Sequence, residues 1–248
     1  MCFDSDSTPP VPPISGAAVS HDEPVLEAAD GNRFAAFAAT PDEAKDAGIV
    51  VLPDVRGLYR FYEELALRFA ERGYPAIAID YFGRTAGAAK RGDDFEYMPH
   101  VDQTTGHGIQ ADVAAAVAYL RKRAVFTVGF CFGGRHSWLA AASDHGLAGA
   151  VGFYGRPGAG RDGSPGPTER AREIAAPILA LMGGDDPGIP LEEIEAFDSA
   201  LDESGVEHEV VVYPGAPHSF FDRKFEQFAS ESEDAWNRAL AFVERYSY

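Results

Sequence analysis

The 248-residue chain is poor in cysteine, in lysine and in long apolar runs. Its only cysteines are Cys2 and Cys131. Two cysteines cannot build a disulfide framework. A bridge between them would join the far N-terminus to the middle of the chain, so both read as free thiols, as a reducing compartment favours. No apolar stretch reaches the roughly 20 residues of a membrane span, and residues 1–23 lack the apolar centre of a secretory leader. These shortages lead to the expectation of a cytoplasmic protein with no membrane partner. Lysine occurs only at Lys45, Lys90, Lys122 and Lys224. Basic residues number 21 against 39 acidic ones, for a net charge of −18. Such a surface repels nucleic acid and anionic lipid. It suits a high-salt cytoplasm and equally an acidic enzyme of a GC-rich genome, so the charge identifies no function.

What is present is an alternation. Residues 1–23, rich in Pro, Ser and Asp, read as a disordered tail, and 24–248 as one domain. Pro24–Ala29 and Arg33–Thr40 flank Asp30-Gly31-Asn32, a turn signal that predicts an N-terminal β-hairpin. Strand-like apolar runs follow at Ile49–Leu52, Ala76–Ile79, Val125–Phe130, Ala148–Phe153, Ile178–Met182 and Glu209–Tyr213. Between them lie segments with helical apolar spacing: Tyr62–Arg72, Ile109–Arg123, Leu191–Ser204 and Ser232–Tyr246, with Arg135–Ala142 as a further helix. Continuous apolar strands alternating with helices predict a mostly parallel, doubly wound α/β sheet. Ligands in such sheets bind beyond the carboxyl ends of the strands.

The stretch Gly129-Phe130-Cys131-Phe132-Gly133-Gly134 sits at such an end. A strand turning sharply into a helix, with small residues around one nucleophile, is the nucleophile elbow of α/β-hydrolases. Here the nucleophile is Cys131, at a helix start where the dipole favours a thiolate. A lone Cys is otherwise a small buried hydrophobe; the glycine frame argues for the nucleophile. Asp185 and Asp186 follow the Ile178–Met182 run: one can orient an imidazole, the other cap the helix near Pro190. Of seven histidines, only His218 lies in a post-strand loop after the candidate acid, which completes the chain order nucleophile, acid, base. Asp54 and Val55 follow Ile49–Leu52, in the loop that supplies the second oxyanion amide. The amides of Phe132 and Val55 are the expected pair. Asp54 reads either as a site carboxylate or as a helix cap.

Together these residues resemble the dienelactone hydrolase family (carboxymethylenebutenolidases) over about residues 24–246. Further matches are Asp186-Pro187 with Pro190, Gly215-Ala216-Pro217-His218-Ser219-Phe220, and Asp80-Tyr81-Phe82-Gly83-Arg84. The resemblance implies an α/β-hydrolase fold, a triad of Cys131, Asp186 and His218, and a substrate-carboxylate clamp at Arg84. Arg56 is a second cation near the oxyanion loop that could share that role. Two departures stand out. Asp54 replaces a family Glu, and Phe221-Asp222-Arg223 stands where the family places an arginine just beyond the catalytic His.

The reading is a hydrolase of a small lactone or ester, working through a thioester on Cys131 with no cofactor and no metal; no Cys/His/carboxylate group has metal-ligand spacing. Its rivals are a thiol redox protein using Cys131, for which Cys2 is a poor resolving partner, and a non-catalytic binding protein on the same fold. The sequence is compatible with a monomer or a dimer.

Overall fold

The computed structural model describes residues 7–160 and 163–248. Nine strands form the central sheet: β1 (Val19–Asp22), β2 (Val25–Glu27), β3 (Arg33–Pro41), β4 (Ala47–Leu52), β5 (Ala76–Ile79), β6 (Ala124–Phe130), β7 (Gly149–Phe153), β8 (Ile178–Gly183) and β9 (His208–Tyr213). Their order is β1-β3-β5-β4-β6-β7-β8-β9, with β2 also on β3. From β5 to β9 every pairing is parallel, while β3 joins β5 antiparallel. The direction of winding reverses at β4, which lies between β5 and β6 although it precedes both. That reversal opens the crevice in which such sheets hold ligands.

Among the described residues seven α-helices accompany the strands: α1 (Arg60–Ala70), α2 (Gly83–Ala86), α3 (Met98–Val101), α4 (Gly106–Leu120), α5 (Phe132–Ala141), α6 (Leu191–Ser204) and, after the last strand, α7 (Ala229–Arg245). The parallel strands are apolar throughout because both faces are covered. On one face Ile49 and Val51 pack with Phe61, Leu65 and Phe69 of α1 and with Trp236 and Val243 of α7. On the other, Val50 and Leu52 meet Ile109 and Val113 of α4. Successive residues of β4 therefore serve two cores, which is why no polar alternation marks it.

The predicted hairpin is present. Gly31 takes φ 83° in its turn, and the Ala28 N–H donates to the Asn32 carbonyl at 2.8 Å. Residues 7–23 correct the expectation of a disordered tail; residues 1–6 of that tail, Cys2 among them, lie outside the described residues. Val11 is buried in the same cluster as Phe37 and Phe61. β1 pairs with β3, Val19 opposite Pro41 and Asp22 opposite Ala38. Main-chain pairing to an open sheet edge needs no apolar pattern, so composition was blind to it. β1 and β2 run in the same sense along β3, interrupted at Glu23 and Pro24, where proline has no N–H to offer a ladder. No described helix is long and apolar enough to cross a membrane.

Candidate active site

Cys131 sits between β6 and α5 with φ 55° and ψ −112°, a conformation that side chains other than glycine rarely adopt. The turn works because its neighbours lack Cβ atoms. A methyl at Gly129 would stand 2.0 Å from the Gly133 carbonyl oxygen, and one at Gly133 would stand 2.1 Å from the Leu52 carbonyl oxygen. The first turn of α5 is thereby pressed against the end of β4. That contact sets Phe132, the first residue of α5, beside the loop carrying Val55. The Cys131 N–H donates to the Phe153 carbonyl at 2.9 Å, which ties the elbow to β7. Cys131 is half-buried and unbridged.

The loops after β8 and β9 are stitched together. Gly184 N–H donates to the Tyr213 carbonyl (2.8 Å) and Asp185 N–H to the Ala216 carbonyl (2.9 Å). This brings together Asp186 and His218, 32 residues apart, with His218 Nδ1 to Asp186 Oδ2 at 2.6 Å. The other carboxylate oxygen accepts the Gly188 N–H at 2.8 Å, so Asp186 is held from two sides in a buried position. Asp185 is exposed, and α6 begins after Pro190 with no side-chain cap, so the capping role considered for the pair falls to neither aspartate.

Asp54 is fully buried and caps no helix; α1 starts after Tyr59 without a side-chain cap. Its Oδ1 accepts the Arg56 N–H at 2.8 Å, and its Oδ2 lies 3.3 Å from Arg56 Nη2 and 3.4 Å from Arg56 Nε. Arg56 is itself buried. Arg84 meets other partners: Nη1 donates to Asp112 Oδ2 (2.6 Å), Nη2 and Nε to Asp30 Oδ2 (2.7 and 3.3 Å). It lines a cleft with Asp30, Asn32, Gly83 and Gly87 that includes none of Cys131, Asp186 and His218.

Three groups to which the sequence reading gave no role, Tyr154, Asp222 and Tyr81, lie around these residues. Tyr154 follows β7 with φ 38°; its ring centroid lies 5.0 Å from that of His218, and its hydroxyl donates to Asp222 Oδ2 at 2.7 Å. Asp222 is 3% exposed. Burial pushes its carboxyl up to about 7, against the lowering effect of the Tyr154 hydrogen bond. Tyr81, a strand-end residue after β5, donates its hydroxyl to the Pro53 carbonyl at 2.8 Å and sets its ring edge against Phe132. The rule that ligands gather beyond strand ends could have flagged both tyrosines. His136, one turn into α5, offers no rival base: burial pushes its imidazole down to about 3.

The fold also assembles a group of potential metal ligands that spacing did not reveal. Asp198 and Asp202 of α6 stand 3.2 and 3.8 Å from Nε2 of His208 on β9. Its two aspartates are exposed, and the trio includes no residue of the elbow or of the Asp186–His218 pair.

Comparison with known proteins identifies the family. The profile of the Dienelactone hydrolase family matches residues 34–247. A Yersinia pestis protein provisionally named carboxymethylenebutenolidase is 30% identical over 221 residues, covering 85% of this chain and 83% of that one. A Saccharolobus solfataricus protein with the same provisional name is 29% identical, over 88% of this chain and 96% of its own. The crystal structure of a provisionally named dienelactone hydrolase from Klebsiella pneumoniae superposes with a TM-score of 0.78 at 26% identity, covering 92% of this chain and all of that one. The chain belongs to the dienelactone hydrolase family of the α/β-hydrolase superfamily and is a hydrolase of the lactone and ester class.

Proposed function

We propose that the protein hydrolyses a small lactone or carboxylic ester through Cys131, His218 and Asp186. The observation that carries the reading is the 2.6 Å bond between His218 Nδ1 and Asp186 Oδ2, formed in the same fold as a strained Cys131 elbow. Asp186 fixes the imidazole tautomer and leaves Nε2 for the thiol. His218 takes the Cys131 proton, and the thiolate attacks the carbonyl carbon. The carbonyl oxygen becomes an oxyanion facing the amides of Phe132 and Val55; losing one such donor costs about 3 kcal/mol. The C–O bond then breaks, and His218 returns its proton to the leaving oxygen. Water, deprotonated by His218, cleaves the thioester and restores the thiol. The scheme calls for no metal or organic cofactor.

The test is rapid-mix kinetics with p-nitrophenyl acetate combined with intact-protein mass measurement. A burst of p-nitrophenol and a transient 42 Da adduct, about the mass of an acetyl group replacing hydrogen, are expected on Cys131. Cys131→Ala should lose both, and turnover should fall by about 10³ or more. An adduct that persists in Cys131→Ala would refute the nucleophile.

A further inference from the structure

We propose that this site selects uncharged esters and lactones, and that Asp222 is the specificity-determining residue that turns away acyl groups bearing a free carboxylate. The proposal rests on the hydrolase reading above and adds a substrate class to it.

Among the described residues, the charges around the elbow leave no cation open to a substrate carboxylate. A carboxylate-binding pocket needs a cation with donors to spare, arranged for a bidentate grip. Neither arginine singled out in the sequence meets that need. Arg84 spends Nη1 on the fully buried Asp112 and Nη2 and Nε on Asp30. Arg56 is closed into a pair with Asp54, both buried, so its charge is balanced before any substrate arrives. Asp222 then adds an acid that forms no ion pair with an arginine among the described residues. The partners of its carboxylate are the Tyr154 hydroxyl, at 2.7 Å, and the Arg223 backbone N–H. A hydroxyl and an amide hold a carboxylate in place without cancelling its charge.

The placement matters as much as the charge. Asp222 is four residues beyond His218, and Tyr154, which anchors it, packs its ring against the His218 ring. The groups that face it are Tyr154 after β7, Asp54 after β4, and His218 and the Arg223 amide in its own loop; Asp54 raises its proton affinity and His218 lowers it. At pH 8 its carboxyl, pushed up to about 7, is mainly ionised. An incoming carboxylate would then meet two buried acids, Asp54 and Asp222, against one buried guanidinium. Like charges brought together at low dielectric disfavour the complex.

The experiment compares p-nitrophenyl pentanoate with p-nitrophenyl hydrogen glutarate, which have equal acyl length and differ in a terminal carboxylate. kcat/KM is measured for both at pH 8, in the full chain and in Asp222→Asn and Tyr154→Phe. Asn is isosteric and can still accept the Tyr154 hydrogen bond. The unmodified enzyme should prefer the neutral ester by about tenfold or more, and Asp222→Asn should narrow that ratio by about tenfold, mostly by improving the anion. Tyr154→Phe, which keeps the charge, should preserve the preference. A fall in the amount of folded protein lowers both rates together and leaves the ratio intact. A preference for the anionic ester, or an unchanged ratio in Asp222→Asn, overturns the proposal. Turnover of neither ester by the unmodified enzyme overturns the hydrolase reading itself, and the selectivity with it.

Discussion

Replacing Asp222 by Asn isolates the cost of keeping a carboxylate inside the protein. Its carboxyl is raised from an ordinary 3.8 to about 7, with burial as the leading cause. The sign follows from proton counting. Below about pH 4 the group is protonated both folded and unfolded, and costs nothing. Between about 4 and 7 the folded chain holds a proton that the unfolded chain has released, so stability falls as pH rises. Above 7 the full penalty applies. Tenfold in proton affinity is worth about 1.4 kcal/mol, so the whole penalty is about 4 kcal/mol, and about 3 kcal/mol of it develops between pH 5 and pH 8. Asn carries no charge and still accepts the Tyr154 hydroxyl. Asp222→Asn should therefore gain on the unmodified chain by about 3 kcal/mol as pH goes from 5 to 8. For a chain of this length that is a shift in Tm of about 6–12 °C. Urea unfolding followed by tryptophan fluorescence, at constant ionic strength and at pH 5, 6.5 and 8, measures it. A stability difference that stays constant across the three pH values refutes the reasoning, because it would mean that Asp222 does not change its protonation on folding near neutrality.

The other expectations concern the acid, the elbow and the displaced arginine. Asp186→Asn should lower kcat by about 10³–10⁴ by presenting the wrong partner to His218 Nδ1, whereas the exposed Asp185→Asn should change stability by less than about 0.5 kcal/mol and leave turnover nearly intact; ester kinetics on both settles which aspartate acts. Gly133→Ala forces a methyl to within 2.1 Å of the Leu52 carbonyl oxygen, a backbone atom that cannot yield, so a loss of more than about 3 kcal/mol is expected in denaturant titrations. Arg84→Ala leaves the fully buried Asp112 with only Asn32 Nδ2, at 2.9 Å, as its side-chain donor, and should cost about 2 kcal/mol while turnover of neutral esters is retained. A KM increase confined to carboxylate-bearing lactones would restore the clamp role to Arg84.

The strands were readable because both sheet faces are buried, so the parallel strands are nearly continuous apolar runs that differ from the observed bounds by a residue or two. Five of the seven described helices were readable, α6 at its observed bounds and the others shifted at their ends; the four-residue α2 and α3 left no periodic apolar pattern to read. The reading placed the elbow helix at Arg135, whereas α5 begins at Phe132, because Gly133-Gly134 reads as a turn by propensity. The glycines are helical, and what they serve is contact with β4, a long-range fact that propensity does not carry. α4 was expected to run to Arg123 and stops at Leu120. Its limits are set by Thr105, whose side chain accepts the Gly108 N–H, and by Arg121 in a left-handed conformation. β1 was missed because Val19-Ser20-His21-Asp22 holds one apolar residue, and edge pairing through the main chain leaves little mark on side chains.

Within the site, the sequence predicted position well and pairing poorly. The elbow, Asp186 and His218 were found because chain order and strand ends constrain them. Arg84 was correctly placed after β5, but its partners Asp30 and Asp112, 54 and 28 residues away, became visible only through the fold. The same holds for Asp222, which attracted notice as a departure from the family pattern and not as a buried acid beneath Tyr154. Of four non-glycine residues with positive φ among those described, Cys131, Tyr154 and Ser219 belong to this one site. Each such residue costs about 1–3 kcal/mol and persists only where its surroundings fix it. The elbow geometry is fixed by backbone packing at Gly129 and Gly133. The charges set around that frame include the buried carboxylates of Asp54, Asp186 and Asp222 and the buried guanidinium of Arg56.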